Sequence, residues 1–215
     1  RRTMFEAPLH ETNEHASLRA EARRFAKTQI APNAHAWEEA CEFPRELYGK
    51  MAEAGLLGVG YPEAYGGGGG NLSHAIASAE ELLIEGRSVG TVVGLGSHAI
   101  ALPPILACGT EEQKQRFVPP TLRGETIAAL AITEPSGGSD VASITTRAVR
   151  DGDVYVVNGT KTFITSGCHA DFVTTAVRTG GPGHGGVSLI VIERGTPGFT
   201  VSKKLQKMGW WASDT

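Results

Sequence analysis

The sequence predicts an α+β chain of two parts: an all-α part over residues 1–125, then an antiparallel β-barrel or sandwich over 126–215 that stops near its end. Three observations carry this. Apolar residues recur at helical spacing before residue 125, strand formers alternate with tight-turn pairs after it, and the two patterns do not interleave. Such segregation argues against alternating βαβ units, and so against a dinucleotide-binding doubly wound sheet.

In the first part, Leu18, Ala22, Phe25, Ala26 and Ile30 share one helical face, and Leu72, Ile76, Ala79 and Leu83 share another. Leu47 and Met51 begin a shorter helix that Gly55 can close. The segment Val92 to Leu102 is apolar nearly all round and predicts a central buried helix. No Asp, Glu, Lys or Arg falls between Ser88 and Thr110, a length that invites comparison with a membrane span. Three glycines and the pair Pro103-Pro104 favour a buried soluble helix, with no membrane span. Gly109 can end it, and Thr110 with Gln113 forms a capping box for a last helix to about Leu122, which breaks at or beside Pro119-Pro120 only if the chain kinks there. Gly66 to Gly70 follow Pro62-Glu63-Ala64-Tyr65 rather than a strand, so they read as a structural loop and not a phosphate cradle.

In the second part, Thr126 to Ile132 reads as a strand. Asp151-Gly152 and Asn158-Gly159 are hairpin turns, which predicts a three-stranded meander over Thr145–Arg150, Asp153–Val157 and Thr160–Thr165. Phe172–Val177, Val187–Ile192 and Phe199–Val201 add strands, with the loop Gly180 to Gly186 between the first two.

Composition excludes several classes. Hydrophobic residues make 40% and charged residues 20%, and the formal net charge is −3, so nothing points to nucleic acid. Cys41, Cys108 and Cys168 are odd in number and lack C-x-x-C spacing, which argues against a disulfide framework and a metal site and fits a reducing compartment. Arg1–Glu6 lacks the apolar stretch of a secretory signal. A cytoplasmic location, or the mitochondrial matrix in a eukaryote, is the expectation.

The densest chemical signal is Ala131-Ile132-Thr133-Glu134-Pro135-Ser136-Gly137-Gly138-Ser139-Asp140. Small residues let backbone amides approach an anion, and Thr133 and Ser139 add short hydroxyl donors. Each has a plainer reading: Thr133 or Ser139 as a turn residue, Thr165 as one more strand Thr, Phe163 as core. Glu134 beside Pro135 and Ser136 reads as structural rather than as a base, and His98 as a buried imidazole rather than a ligand.

This segment, extended to Ser143, resembles the signature of the acyl-CoA dehydrogenase family. Thr160-Lys161-Thr162-Phe163-Ile164-Thr165-Ser166-Gly167 resembles its second flavin segment, and Lys207-Met208-Gly209-Trp210-Trp211-Ala212-Ser213-Asp214-Thr215 the motif near the end of its middle domain. Phe43-Pro44, Gly55-Leu56-Leu57-Gly58 and Pro62 to Gly67 resemble its helical N-terminal region. The resemblance implies FAD as cofactor. Leu130, Ile132 and Thr133 would border the isoalloxazine ring, and Gly138 and Ser139 would meet the pyrophosphate, with Ser139 also near the CoA substrate. Phe163 would pack on the ring with Ile164 beside it, and Thr165 would place its hydroxyl by N5. Phe163 stands where many relatives carry Trp, and Trp211 where a cationic or polar residue is common. No role is carried over to Trp211.

The implied reaction is α,β-dehydrogenation of a fatty acyl-CoA, as in β-oxidation, with electrons passing to an electron-transferring flavoprotein and the full protein a homotetramer. The family's base is a Glu in a third, helical domain, so no catalytic residue is assigned within these 215 residues, and they alone are expected not to turn over. An acyl-CoA oxidase and a non-catalytic FAD- or CoA-binding subunit stay open as alternatives.

Overall fold

A computed structural model describes residues 11–215. Arg1–Glu6, where no secretory signal was expected, lies outside the described residues. The chain divides into two compact units. One comprises residues up to Leu95 with Leu122–Glu125 and Gly209–Ala212; the other comprises Gly96–Thr121, Thr126–Met208 and Ser213–Thr215.

The first unit is helical: α1 (Asn13–Phe25, extended by a wider turn over Ala26–Ile30), α2 (Ala34–Ala40), α3 (Glu46–Glu53), α4 (Leu72–Gly86) and α5 (Val89–Leu95). The helices α1 and α4 pack on each other. Ala22, Phe25, Ala26 and Ile30 are buried, as the helical spacing predicts. Gly86 lets α4 come close, since a Cβ there would sit 3.1 Å from Ile30 Cγ2. Both helices start with a His at the third position. His15 Nδ1 accepts from the Thr12 N–H (3.2 Å), His74 Nδ1 from the Asn71 N–H (3.4 Å), and the rings stack at 3.8 Å.

The predicted apolar face of α4 is not the buried one. Leu72 (74% exposed), Ile76 and Leu83 lie open, while Ala77, Ser78, Glu81, Leu82 and Gly86 face inward. Glu81 decides this rotation, because its carboxylate meets Arg23 Nε at 2.9 Å and Arg19 Nη1 at 3.3 Å on α1. The five-glycine run is a structural loop, as read. Gly68, Gly69 and Gly70 donate to the Gly58, Tyr61 and Val59 carbonyls at 2.8–2.9 Å, and a Cβ on Gly67 would fall 2.2 Å from the Tyr61 oxygen.

One continuous helix from Val92 to Leu102 does not form. The apolar stretch Val89–Cys108 is long and apolar enough to cross a membrane by length and composition, yet it folds as α5, α6 (His98–Ala101) and α7 (Pro103–Cys108). Less than half of it is buried, and Ile100 is exposed, so it is not a helix buried all round. His98 is buried, as read. Gly96-Ser97 and Pro103 account for the interruptions. The next helix, α8 (Glu111–Leu122), has the predicted capping box, with Thr110 N–H to Gln113 Oε1 at 2.8 Å and Gln113 N–H to Thr110 Oγ1 at 3.3 Å. It ends at Leu122, as expected, and helical geometry runs through Pro119 and Pro120 with no break.

The second unit holds a sheet of five strands: β1 (Ala128–Ala131), β2 (Arg147–Asp151), β3 (Val154–Asn158), β4 (Phe172–Arg178) and β5 (Val187–Glu193). Buried β4 is the hub. It pairs with β1 in parallel, with β5 antiparallel, and at Arg178 with β2 in parallel; β3 pairs with β2 antiparallel. The expected antiparallel barrel or sandwich is therefore corrected to a mixed, unclosed sheet. The chain between β1 and β4 is long enough to return in the same direction, which a tight turn would forbid. Phe117 of α8 packs on Phe172 at 4.8 Å, and Thr174 Oγ1 donates to the Ala101 carbonyl at 2.9 Å.

The meander has two strands, not three. The first hairpin forms with Gly152 at φ +59° and Asp151 opposite Val154. After β3, Gly159 at φ +155° turns the chain so closely past Thr146 that a Cβ would lie 2.4 Å from its Oγ1. Phe163 (φ +58°) and Ser166 (φ +60°) then interrupt any extended run, and residues 160–165 form a loop. Phe199–Val201 is likewise not a strand.

Candidate functional site

The strand β1 delivers the chain into the loop that begins at Ile132. Glu134 and Gly137 close it reciprocally, Glu134 N–H to the Gly137 carbonyl at 3.0 Å and Gly137 N–H to the Glu134 carbonyl at 3.1 Å. This turn leaves Gly138 and Ser139 exposed and Thr133 half-buried. A Cβ on Gly138 would stand 3.2 Å from Thr133 Cγ2, so glycine keeps the Thr133 surface open.

The second loop, residues 160–165, docks on the first. Thr162 N–H donates to the Thr133 carbonyl at 2.9 Å, and Lys161 Nζ donates to the Ile132 carbonyl and to Glu134 Oε1, both at 2.8 Å. Glu134 is 3% exposed. It also accepts from Thr145 N–H and Oγ1 (2.7 Å each) and from Thr146 N–H (2.8 Å). Burial works against its charge. The Lys161 ammonium and the Thr146 and Thr145 donors outweigh that and hold the carboxyl well below the usual carboxylate range.

The predicted site residues fall around this junction. Leu130 is half-buried on β1, and Ile132 and Thr133 follow it. Phe163 is 67% exposed, so it is not core; its left-handed backbone holds an aromatic ring in the open. Ile164 instead packs toward Ala129, Ala131, Ala170 and Val173. Thr165 is half-buried. His184 lies exposed in a short turn ahead of β5.

Sequence reasoning assigned no role to Lys161 or Asp214. Asp214 fixes the chain just after Thr165: its carbonyl accepts the Ser166 N–H at 3.0 Å, Oδ2 accepts the Cys168 N–H at 2.7 Å, and Oδ1 lies 3.3 Å from His169 Nδ1. Burial, then the Asp214 charge, push the Cys168 thiol up. A lone Lys in a Thr-rich run and the acidic residue just before the end of the last motif were the available signals. In the helical unit, Glu38 accepts from Ser88 Oγ (2.8 Å) and from the Ala212 N–H (3.1 Å), and Gly90 admits the Trp210 backbone, which a Cβ would meet at 2.9 Å.

An open groove of about 640 Å³ runs beside Thr145, lined by Ala142, Ser143, Ile144, Arg147, Arg178 and Gly180–Gly183. Arg178 is spent on structure, donating to the Ile144 carbonyl (3.0 Å) and the Ala142 and Gly181 carbonyls (2.6 Å each). Arg147 is exposed. Among the described residues, no group of three His, Cys, Asp or Glu side chains is set to hold a metal ion.

These residues fit a flavin nucleotide. A glycine keeps one loop open, hydroxyls stand at its rim, and an aromatic face lies exposed on the adjoining loop.

The chain is similar to known proteins along nearly its whole length. Residues 12–125 match the acyl-CoA dehydrogenase N-terminal domain, and residues 129–215 the acyl-CoA dehydrogenase middle domain. An acyl-CoA dehydrogenase of Bacillus subtilis is 38% identical over 208 residues, covering 96% of this chain and 55% of its own length. The acyl-CoA dehydrogenase structure from Geobacillus kaustophilus is 43% identical with a TM-score of 0.88, covering 97% of this chain and 55% of that one. A glutaryl-CoA dehydrogenase from Mycobacterium smegmatis, solved with FADH2, is 30% identical with a TM-score of 0.86, covering 95% and 51%. The chain thus spans about half the length of the relatives it matches. With both family domains matched in order along it, the chain belongs to the acyl-CoA dehydrogenase family.

Proposed function

We propose that this chain is the flavin- and CoA-contacting half of an enzyme that oxidises the α,β carbon–carbon bond of a fatty acyl-CoA thioester, as in β-oxidation, and passes the electrons to an electron-transferring flavoprotein. The observation that carries this reading is the docking of two loops at the Thr162–Thr133 and Lys161–Ile132 bonds. That docking joins the hydroxyl and glycine rim to the exposed face of Phe163. FAD, when bound, supplies the hydride acceptor; the protein supplies placement and electrostatics.

Thr133 and Thr165 would hold the ring edge through their hydroxyls, with Leu130 and Ile132 bordering it and Phe163 covering its face. A hydroxyl aimed where negative charge develops stabilises that charge. Gly138 and Ser139 would meet the pyrophosphate, Ser139 also reaching the CoA moiety. Ser143 and Arg147 in the open groove offer the hydroxyl and cation that a CoA diphosphate takes. Glu134 is not the base that removes the α-proton. It is buried and ionised, with its two oxygens already accepting from Lys161, Thr145 and Thr146. The base belongs to a helical part of the full-length protein, which assembles as a tetramer in this reading.

The test is flavin binding by the full-length protein. The expected result is a yellow protein with flavin absorption bands, which bleach on addition of a fatty acyl-CoA, and loss of the colour in Gly138→Val. A colourless protein that takes up no added FAD would refute the proposal.

A further inference from the structure

We propose that the Glu134–Lys161 pair is a positioning device for the flavin. It sets the separation of the Thr133 loop and the Phe163–Thr165 loop, and does not merely stabilise the fold. This deepens the flavin-binding reading and rests on it.

Three segments meet at the pair. Glu134 belongs to the first loop, Thr145 and Thr146 lead into β2, and Lys161 belongs to the second loop. Each carboxylate oxygen has two donors: Thr145 N–H and Oγ1 on Oε2, Thr146 N–H and Lys161 Nζ on Oε1. The ammonium also reaches past the carboxylate to the Ile132 carbonyl, one residue before Thr133. Side-chain exposure is 2% for Glu134 and 10% for Lys161.

A buried ion pair is a poor source of net stability, because desolvation offsets the attraction; its best-attested use is to fix a register. Here the register is that of two loops with no strand ladder between them. Among the described residues one backbone bond crosses them, Thr162 N–H to the Thr133 carbonyl, a single point that by itself would leave the loops free to pivot. The Lys161 bonds on either side of that point remove the pivot. The hydrogen bonds of the pair run to Ile132, Thr145 and Thr146, so it acts by placing the two loops that carry Thr133 and Thr165.

The experiment compares the full-length wild type with Lys161→Met, Lys161→Arg and the double variant Glu134→Gln/Lys161→Met. Readouts are the FAD dissociation constant, the visible spectrum and midpoint potential of bound flavin, and the melting temperature of the FAD-free protein. The double variant leaves no unpaired buried charge, so its FAD-free form is expected to melt closer to wild type than that of Lys161→Met. Its FAD affinity is expected to fall by about tenfold or more through lost preorganisation, with a shifted flavin potential. Lys161→Arg keeps the charge and the hydrogen-bond donors but lengthens the side chain, so it is expected to hold the FAD-free melting temperature near wild type while shifting the flavin potential. Should the Met variants fail to fold, Lys161→Arg still decides: a longer side chain at a true spacer shifts the flavin potential, and an unchanged potential overturns the inference. Wild-type affinity and potential in a folded double variant would overturn it alone. A wild type that binds no FAD would overturn the functional reading and this inference with it.

Discussion

Replacing Glu81 with Gln tests whether α4 is oriented by its buried charge. Glu81 is 0% exposed, and its oxygens take Arg23 Nε at 2.9 Å, Arg23 Nη2 at 3.1 Å and Arg19 Nη1 at 3.3 Å. Gln keeps the volume and one acceptor, but turns an amide NH2 toward guanidinium donors. Breaking a fully buried pair costs about 3–5 kcal/mol. Two facts reduce this. Arg23 is 36% exposed and recovers solvation, and Arg19 keeps Glu11 and Glu80 at 2.5 and 2.6 Å. A loss of about 2–3 kcal/mol remains. For a chain of this length that lowers the melting temperature by about 5–10 °C, read by far-UV circular dichroism. The double variant Glu81→Leu/Arg23→Met removes both the carboxylate and its two-bond partner, and is expected to lie within about 1 kcal/mol of wild type. A Glu81→Gln protein within about 0.5 kcal/mol of wild type would refute the reasoning and leave α4 packed by Leu82, Ala77 and Gly86 alone.

Acid should destabilise the β-containing unit through Glu134. Its folded pKa is depressed, so its contribution is complete above the unfolded value of about 4.3 and is lost as pH falls below that toward the folded value. Melting temperature against pH should therefore drop more steeply in this range for wild type than for Glu134→Gln, and parallel curves would contradict the assignment. Phe163→Gly should relieve the left-handed backbone by about 1 kcal/mol while removing an aromatic face, so the FAD-free protein gains stability as FAD affinity falls. Calorimetry and flavin titration read the two effects separately. Ser78 Oγ is buried on α4 without a hydrogen-bond partner, so Ser78→Ala should leave stability equal or raise it by up to about 1 kcal/mol in urea unfolding.

Local chemistry wrote much of this protein into its sequence. The capping box at Thr110 and Gln113, the closure at Gly55, the hairpin at Gly152 and the order of helices before strands depend on neighbours a few residues apart, and a linear reading reaches them. The family's motifs in the run after β1 and in the Phe163 segment were legible for the same reason: each is a contiguous run of residue types, and the middle-domain match covers both.

Tertiary structure alone decided what depends on distant partners. Two helical stripes of α4 could have faced inward, and Glu81 meeting Arg19 and Arg23 from 58–62 residues away chose the less apolar one. The parallel return of β4 beside β1 is set across a long connection, where no turn signal fixes direction. Residues 160–165 have strand-forming side chains, yet positive φ at Phe163 and the bonds from Lys161 and Thr162 to the first loop made them a loop. Periodicity reports what a segment can bury; which face it does bury is settled by the charge or carbonyl that arrives opposite it.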